Sequence, residues 1–411
     1  MRHIVFAQSE CYPVALLVKP ALFQQYKLEQ YYLNRMPHID RQDVIAMTLE
    51  VDAKGKLPVS FIKTYLTQLL PALDGVGTKL LYVTDSAYFK ALTKAKKAEP
   101  HYGYVLPCTV PGYEHMSVVL GMNYQQLVYD PSLEPRLQMT LDTLSDAHVG
   151  QYQELGQGII HKAIYPNTLF DIKAALASLH QYPAISADIE AFSLAFDKAG
   201  IGTISFAWSH HEGIAFACDY HAYSSPVDGL YGEFRRNDEV RRLLREFLSS
   251  YQGRIRWHNA NYDLKPIILN LWMDHLLDTR GMLTGLDIMT RSFDDTKIIT
   301  YLATNSTAGN SLGLKDQAHE FAGNYAQDEI KDIRKIPLPN LLEYNLVDAL
   351  ATNYVFDKHY VPMMADNQLP IYQELMLPSV KMIVQMEMCG MPLDQVYVAK
   401  AKADVILISG H

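Results

Sequence analysis

The sequence has 411 residues, of which 49% are hydrophobic and 20% are charged, and its formal net charge is −9. This composition is that of an ordinary globular protein, and the length is sufficient for two or three domains. The acidic balance excludes a globally basic surface, so a bound nucleic acid would have to be held by a local basic patch or through metal ions.

The cysteines are widely spaced, which argues against a zinc site and fits a reducing compartment. We expect them to be buried thiols; they are Cys11, Cys108, Cys218 and Cys389. The first residues lack the apolar core of a signal peptide, and no apolar run approaches the roughly 20 residues of a membrane span. The sequence therefore predicts a soluble, cytoplasmic protein without a membrane partner.

Residues 1–150 alternate strand-like and helix-like runs, which predicts a small α/β domain. The strand-like runs are His3 to Gln8, Val44 to Val51, Lys79 to Thr84 and Met116 to Gly121; the helix-like runs are Pro20 to Leu33, Pro58 to Leu70 and Ser86 to Lys96. The region has no phosphate-binding GxxxxGK[ST] or GxGxxG motif, so its role is open and we regard it as an accessory domain. A glycine-rich stretch and a helix capped by Asn167 form a linker over residues 151–181.

The next block begins with the strand-like run YPAISADIEAF, residues 182–192. The period of two in a strand places Asp188 and Glu190 on the same face, next to residues that are expected to be buried. Buried carboxylates are costly unless they are paired, protonated or bound to a cation. This pair is the first candidate site.

Two strand-like runs and an amphipathic helix follow, and the helix has the sequence NDEVRRLLREFLSS. Its spacing predicts an inward face; the inward residues are Val240, Leu243, Leu244 and Phe247. We expect Arg241, Arg242 and Arg245 to lie on a solvated face, and a contact with the DNA backbone is the less favoured interpretation.

Two more pairs of polar residues follow at characteristic positions. Asn259 and Asp263 lie where a strand runs into a helix, although either Asn261 or Asp263 could simply cap that helix. Tyr344 and Asp348 share one face of a later helix, and taken alone Asp348 could be an ordinary exposed residue. Asp294 and Asp295 precede another helix, where we favour a capping role. His210 and His211 are expected in a hairpin turn.

Together these residues supply four carboxylates and one phenol in an α/β block. Two divalent cations roughly 4 Å apart can activate water and stabilise both oxygens of a phosphodiester displacement. Mg²⁺ and Mn²⁺ prefer oxygen ligands and keep several waters, so a few carboxylates suffice to bind them.

The set of Asp188 and Glu190, Asn259 and Asp263, and Tyr344 and Asp348 resembles the three exonuclease motifs of the DEDD superfamily. Tyr344, four residues before Asp348, stands where the tyrosine subclass of that superfamily has its tyrosine. This subclass, which the sequence resembles, includes the proofreading domain of family A DNA polymerases. The spacer over residues 294–323 resembles the segment between the second and third motifs of that family. The resemblance covers about residues 182–360 and implies a ribonuclease H-like fold, a mixed sheet flanked by helices.

The stretch over residues 371–394 resembles the opening of the polymerase domain of family A enzymes. On that resemblance residues 182–361 would be the 3'-5' exonuclease domain, and residues 362–411 a truncated thumb-like start. Motifs similar to those of the fingers and palm are absent from the sequence, so we expect no DNA synthesis from this chain. The missing polymerase half, in the same gene or as a separate chain, would then be its partner, in a bacterial or bacteriophage-infected cell.

The resemblance implies a role for each residue of the site. Two divalent cations, Mg²⁺ or Mn²⁺, would be held by the acids; these are Asp188, Glu190, Asp263 and Asp348. Tyr344 would position the attacking water, and Asn259 would lie near the substrate. Leu194 matches the leucine that the family packs against the terminal base, although an ordinary core leucine is equally compatible with the sequence. Ala191 stands where the family often has threonine, which puts one hydroxyl contact with the substrate in doubt.

The sequence thus predicts a proofreading 3'-5' exonuclease that hydrolyses single-stranded or frayed DNA 3' ends to nucleoside monophosphates. The alternatives are a non-catalytic module that docks DNA or a protein partner, and an exonuclease that trims RNA. Without metal, we expect Asp188 and Glu190 to bind protons or to lose order.

Overall fold

The computed structural model describes residues 1–304, 311–325, 330–391 and 393–409. The chain forms two compact units, one made of residues 1–158 with a short later segment that begins at His319, and one made of the remainder. Residues 305–310 of the spacer and residue 392 of the tail lie outside the described residues. Among the described helices, none combines the length and hydropathy that a membrane span requires.

The first unit is a sheet covered by helices on both faces. Its strands are β1 (His3–Val5), β2 (Val14–Val18), β3 (Val44–Thr48), β4 (Leu80–Val83), β5 (Val105–Pro107) and β6 (Ser117–Leu120), and its helices are α1 (Gln25–Tyr31), α2 (Val59–Asp74), α3 (Ser86–Thr93), α4 (Gln126–Tyr129) and α5 (Glu134–His148). The strand order is β1-β3-β2-β4-β6-β5, with β2, β3, β4 and β6 parallel. Parallel strands are normally buried on both faces, and the sheet packs against α2 and α3 on one side and against α1 and α5 on the other.

The later segment of the first unit contains the short helix His319–Ala322. The imidazole Nε2 of His319 lies 2.7 Å from the carbonyl oxygen of Tyr102, and the backbone N–H of Asn324 donates to the hydroxyl of Tyr104. The spacer over residues 294–323 is therefore shared between the two units. This division could not be read from the sequence, because it depends on contacts between residues more than 200 positions apart.

The second unit contains another mixed sheet. Its strands are β7 (Lys162–Ile164), β8 (Ala184–Glu190), β9 (Thr203–Ala207), β10 (Glu212–Ala217), β11 (Tyr220–Val227), β12 (Leu230–Phe234), β13 (Arg254–Trp257) and β14 (Phe293–Asp295). The sheet has the order β14-β13-β8-β9-β10-β7, whereas β11 and β12 pair with each other as a separate hairpin. Strand β9 runs antiparallel to β8 and β10, while β13 is parallel to both β8 and β14. This is the mixed sheet of the ribonuclease H-like fold that the sequence predicts.

The helices of the second unit flank this sheet. In chain order they are α6 (Leu169–Ser178), α7 (Phe196–Ala199), α8 (Asp238–Ser250), α9 (Ala260–Trp272), α10 (Thr279–Met289), α11 (Thr296–Thr304), α12 (Leu314–Gln317), then, after the helix His319–Ala322 (α13) of the first unit, α14 (Leu338–Ala365), α15 (Leu369–Ile371), α16 (Leu377–Cys389) and α17 (Gln395–Ser409). The apolar face of β8, with Ile185 and Ile189, joins a core that includes residues of α6, α8, α9 and α10. The other face of the sheet lies against α14, the long helix that contains the third motif.

Helix α14 packs directly on the sheet through a glycine and through side-chain hydrogen bonds. A Cβ atom on Gly213 would lie 2.6 Å from Leu346 Cδ1 and 2.5 Å from the carbonyl oxygen of Phe206, so a larger residue there would push the helix away. The side-chain amide of Asn353 donates to the carbonyl oxygens of Ala207 and Ser209 at 3.1 and 3.2 Å. These contacts fix the height and the register of α14 above β9 and β10.

The prediction that Arg241 lies on a solvated face is wrong. Its side chain is 5% exposed, and its guanidinium donates to both carboxylate oxygens of Asp219, at 2.9 and 2.6 Å. Arg241 lies three residues before Leu244 and seven before Leu248, so it borders the buried stripe of α8. A buried guanidinium is tolerated there because Asp219 pairs with it in bidentate geometry.

The expected burial of the thiols is only half right. Cys108 and Cys218 are buried, whereas Cys11 and Cys389 are exposed. Two local predictions on polar residues have mixed outcomes: His210 and His211 do lie in the turn between β9 and β10, but α6 is capped by Thr168 rather than by Asn167. The Thr168 hydroxyl accepts a hydrogen bond from the backbone N–H of Asp171 at 3.1 Å.

Candidate active site

Three carboxylates converge where the polar face of β8 meets α14. Asp188 and Glu190 project from the same face of β8, as the period of a strand predicts, and Asp348 reaches them from α14. One ligand atom from each of the three lies within 4.8 Å of the others. Asp348 is only 6% exposed, so the interpretation of this residue as an ordinary surface acid is wrong. Three converging carboxylates form a donor set that suits a hard divalent cation such as Mg²⁺ or Mn²⁺.

Asp263 lies beside this group of three rather than inside it. It sits in the first turn of α9 and is 4% exposed. The backbone N–H of Ile189, the residue between the two acids of β8, partly opposes the rise in the pKa of its carboxyl group. Its charge acts on both Asp188 and Glu190. A capping role for Asp263 is excluded, because the N-cap of α9 is Asn259. The fourth acid is therefore placed to share a cation with the strand pair or to hold a second one.

Asn259 forms the corner between β13 and α9. Its backbone is left-handed, with φ of 67° and ψ of 54°, a conformation that asparagine tolerates better than most residues. Its N–H donates to Asp295 Oδ1 at 3.1 Å, and the N–H of Ala260 donates to Asp295 Oδ2 at 2.9 Å. The Asn259 side chain makes no capping hydrogen bond, so its role near the substrate remains a prediction.

Asp295 caps two helices at once. In addition to the start of α9, its carboxylate accepts the backbone N–H of Lys297 at 2.9 Å and that of Ile298 at 3.4 Å, at the start of α11. The predicted capping role is thus confirmed for Asp295, and it extends to the helix that carries Asp263. Asp294 has a different role, since it accepts a bidentate hydrogen bond from Arg254.

Asn345 holds Asp188 in position, and no sequence motif identifies it. Its side-chain N–H donates to Asp188 Oδ2 at 2.7 Å, and its side-chain oxygen accepts from the Thr203 hydroxyl at 3.0 Å. The Ser205 hydroxyl donates to the backbone carbonyl oxygen of Asn345 at 2.7 Å. The only available signal is its spacing, because Asn345 lies three residues before Asp348 and therefore on a neighbouring part of the same helix face.

Tyr344 lies one helical turn before Asp348, and a lysine accompanies it. The Nζ of Lys315, from α12, contacts the Tyr344 hydroxyl and lies 4.8 Å from the centre of its ring. The positive charge of Lys315 also acts on Glu190. Lys315 could not be identified from the sequence, because one lysine in a short polar segment forms no recognisable pattern.

Leu194 lies in the loop between β8 and α7. Its side chain is 86% exposed, so the interpretation as an ordinary core leucine is wrong. An exposed leucine four residues after Glu190 is available for contact with a ligand at the site. That contact itself remains a prediction.

The acids repel one another in the absence of a cation. Burial, and then the charges of Asp348, Asp263 and Glu190, raise the pKa of Asp188 well above its usual range, while the hydrogen bond from Asn345 opposes this rise. Burial and the charge of Asp348 raise the pKa of Glu190 from 4.5 to about 8, and Lys315 partly opposes that rise. Burial and the charge of Asp295 raise the pKa of Asp263. These directions agree with the expectation that the metal-free acids bind protons, and a divalent cation would reverse them.

Comparisons with known proteins find similar solved structures but no match at the level of sequence families or curated sequences. No family model matches the chain, and no curated protein sequence matches it. Among solved structures, Escherichia coli RNase D, titled an exoribonuclease involved in structured RNA processing, is 16% identical, with a TM-score of 0.36, over 56% of this chain and 51% of that one. Brucella melitensis NrnC with bound Mg²⁺ is 14% identical, with a TM-score of 0.36, over 56% of this chain and 96% of that one.

A polymerase structure is similar to the same extent. The POL domain of Pol1 from M. smegmatis, in complex with DNA primer-template and dNTP, is 14% identical, with a TM-score of 0.38, over 59% of this chain. The match spans about a third of that protein, 34% of its chain.

Proposed function

We propose that the second unit is a metal-dependent 3'-5' exonuclease that hydrolyses single-stranded or frayed DNA 3' ends to nucleoside monophosphates. The observation that carries this proposal is the convergence of Asp188, Glu190 and Asp348, from positions 160 residues apart, with ligand atoms within 4.8 Å. Asp263 and Tyr344 complete the arrangement. Four partly or fully buried acids, of which Asp188, Glu190 and Asp263 have raised pKa values, are costly to the fold, and a bound cation offsets that cost.

Each residue of the candidate active site would have a separate role. Asp188, Glu190 and Asp348 would hold one cation, and Asp263, together with Asp188, would hold a second. Two divalent cations would supply activation of a water and stabilisation of the attacking and leaving oxygens. Tyr344 would orient the attacking water through its hydroxyl, and Asn345 would hold Asp188 in the orientation that a cation needs. Leu194 and Asn259 would contact the nucleotide at the 3' end.

We further propose that this exonuclease belongs to a DNA polymerase. The resemblance of residues 371–394 to the opening of a family A polymerase domain supports a proofreading role, with the polymerase half supplied by the same gene or by a separate chain. No DNA synthesis is expected from residues 1–411 alone. Residues 1–150 would act as an accessory to the exonuclease, in a role that the proposal leaves open.

The proposal is tested by incubating the full chain with 3'-labelled single-stranded DNA in Mg²⁺ or Mn²⁺ and measuring released mononucleotide. Asp188→Ala should lower the rate by about 10³-fold or more, because removing a metal ligand forfeits several kcal/mol of charge stabilisation. The exposed Asp197 provides a control, and Asp197→Ala should retain the wild-type rate.

Two results would count against the proposal. If the wild-type protein releases no mononucleotide, or if Asp188→Ala releases it equally fast, the site is not catalytic. A matched RNA strand in parallel distinguishes proofreading from RNA trimming, since the proposal requires faster release from DNA. Binding of DNA without hydrolysis would instead favour a docking module.

A further inference from the structure

Lys315 lies within reach of two groups of the candidate active site. Its Nζ contacts the Tyr344 hydroxyl, and it lies 4.8 Å from the centre of that ring. Its charge also opposes the rise in the pKa of Glu190. A lysine in this position could position a catalytic group, bind a phosphate of the substrate or stabilise the fold. Its surroundings help to distinguish these roles.

The short helix α12 that carries Lys315 is held from two sides. At the end of β13, Nε2 of His258 lies 3.0 Å from the carbonyl oxygen of Leu312. On α14, the Nζ of Lys358 donates to the carbonyl oxygen of Gln317 at 2.9 Å, and Nε2 of His359 lies 2.7 Å from Gln317 Oε1. The lysine is therefore fixed relative to the strand end near Asp263 and to the helix that carries Tyr344.

The contact between Lys315 and Tyr344 constrains the phenol. An ammonium has three donors and no acceptor, so the Tyr344 oxygen must accept from it. The phenol proton must then point away from Lys315 and toward another acceptor. When substrate is bound, the oxygen of an attacking water or of the scissile phosphate could be this acceptor, and the nearby positive charge makes the phenol a stronger donor.

We propose that Lys315 is a positioning residue of the exonuclease, which acts through Tyr344 by fixing the direction in which the phenol donates its hydrogen bond. The inference rests on the proposed function. It assigns to α12 a part in catalysis that no sequence motif indicates. A lysine that merely bound a substrate phosphate would affect substrate binding, and one that merely supported the fold would affect stability.

The test compares kcat and KM for mononucleotide release by the full chain and four variants. Lys315→Met should lower kcat by about 10- to 100-fold, as expected for a misdirected catalytic group, and should change KM by less than about 3-fold. Lys315→Arg, which keeps the charge and the donors, should recover part of the loss. Tyr344→Phe should lower kcat, and adding Lys315→Met to it should cost less than about 3-fold more, because the lysine then has no phenol to orient.

Two controls separate this role from a structural one. Lys173 is exposed on α6, and Lys173→Met should keep the wild-type kcat. Calorimetric titration with Mn²⁺ should give Lys315→Met an affinity equal to or tighter than that of the wild type, because the variant keeps every carboxylate and loses a competing positive charge.

Several outcomes overturn the inference. An unchanged kcat in Lys315→Met, a loss confined to KM, or losses that multiply fully with Tyr344→Phe each contradict it. A parallel loss of Mn²⁺ binding and of thermal stability in both Lys315 variants assigns the lysine to the fold instead. An inactive wild-type protein overturns the proposed function, and this inference with it, whereas an active wild type with an unaffected Lys315→Met overturns the inference alone.

Discussion

The orientation of the Asp188 carboxylate depends on Asn345, a residue that belongs to no motif in the sequence. The amide of Asn345 lies 2.7 Å from Asp188 Oδ2 and opposes the rise in the pKa of that acid. Because the same amide also accepts from Thr203, its orientation is fixed from both ends. The Asp188 carboxylate would thus bind the cation, and the Asn345 amide would orient that carboxylate.

Asn345→Ala should weaken Mn²⁺ binding about 10- to 100-fold, the usual cost of losing a group that orients a metal ligand. Without the amide, the pKa of Asp188 rises further, so the cation must displace a proton that is held more firmly. Calorimetric titration with Mn²⁺ at pH 7 measures the change. Asn167 is exposed and provides the control, Asn167→Ala. Equal affinities for Asn345→Ala and the wild type would show that the amide does not orient the site.

The acids of the site could be predicted from the sequence, whereas their supports could not. Asp188 and Glu190 lie two residues apart, so the period of a strand is sufficient to place them on one face. Asp348 was singled out only through the resemblance of the whole set to the exonuclease motifs, because its position on a helix is equally compatible with exposure. Lys315 and Asn345 acquire their roles from contacts with residues 29 to 157 positions away. Arg241 shows the opposite error, since local spacing suggested solvent and a distant Asp219 made burial possible.

At the scale of elements, Asp295 connects two helices to the sheet. It lies at the end of β14, and its carboxylate accepts N–H groups from the first turns of both α9 and α11. The helix α9 in turn carries Asp263. The prediction of a cap before the Thr-Lys-Ile run therefore identified the right residue, but the link to α9 could only come from the pairing of β13 with β14.

Asp295→Ala should lower the free energy of unfolding by about 2 to 4 kcal/mol, because it leaves buried N–H groups of two helices without an acceptor. Asp278 caps only one helix, α10, where it accepts from the N–H of Gly281 at 2.9 Å, and its other oxygen accepts from the N–H of Asp274 in the preceding loop at 3.0 Å. Asp278→Ala should cost only about 1 kcal/mol. Urea denaturation of the two variants beside the wild type gives both values, and equal losses would contradict a double cap.

The order and type of the main elements of the second unit follow from the sequence, but their boundaries and pairing do not. Alternating runs predicted β9 and β10, and the 3.6-residue period predicted α8 and α14. The hairpin of β11 and β12 was not predicted, since exposed strands lack a strong apolar alternation. In the first unit, the helix expected over residues 20–33 is only Gln25–Tyr31, because flanking turns interrupt it.

At the scale of the whole molecule, the acids link stability to pH and to metal. In the metal-free protein the pKa of Glu190 is about 8, whereas that of an exposed glutamate is 4.5. Between these values the folded protein holds a proton that the unfolded chain has released. The corresponding stability is fully present below pH 4.5 and is lost as the pH rises through about 8. The raised pKa values of Asp188 and Asp263 act in the same direction.

Urea denaturation in EDTA at pH 6.5 and pH 8.5 tests this linkage. The wild-type protein should lose on the order of 1 to 2 kcal/mol more than Glu190→Gln between the two pH values, since the amide cannot titrate. His101 and His258, whose pKa values burial lowers, are present in both proteins, so their contribution to the pH dependence cancels in the comparison. Saturating Mn²⁺ should remove the difference, and an identical pH dependence for both proteins would contradict the repulsion described above.

Asp348 is distant from Asp188 and Glu190 in sequence and meets them only in the folded protein, so its removal tests whether the three acids form a hydrolytic metal centre. The measurement is the rate of mononucleotide release from 3'-labelled single-stranded DNA as a function of Mn²⁺ concentration, for the wild type and for Asp348→Ala. We predict that the wild-type rate depends on the metal and saturates with its concentration. The rate of Asp348→Ala should be lower than that of the wild type by about 10³-fold or more at every Mn²⁺ concentration. Equal rates for the two proteins, or a wild-type rate that persists in EDTA, would contradict a hydrolytic metal centre at these acids.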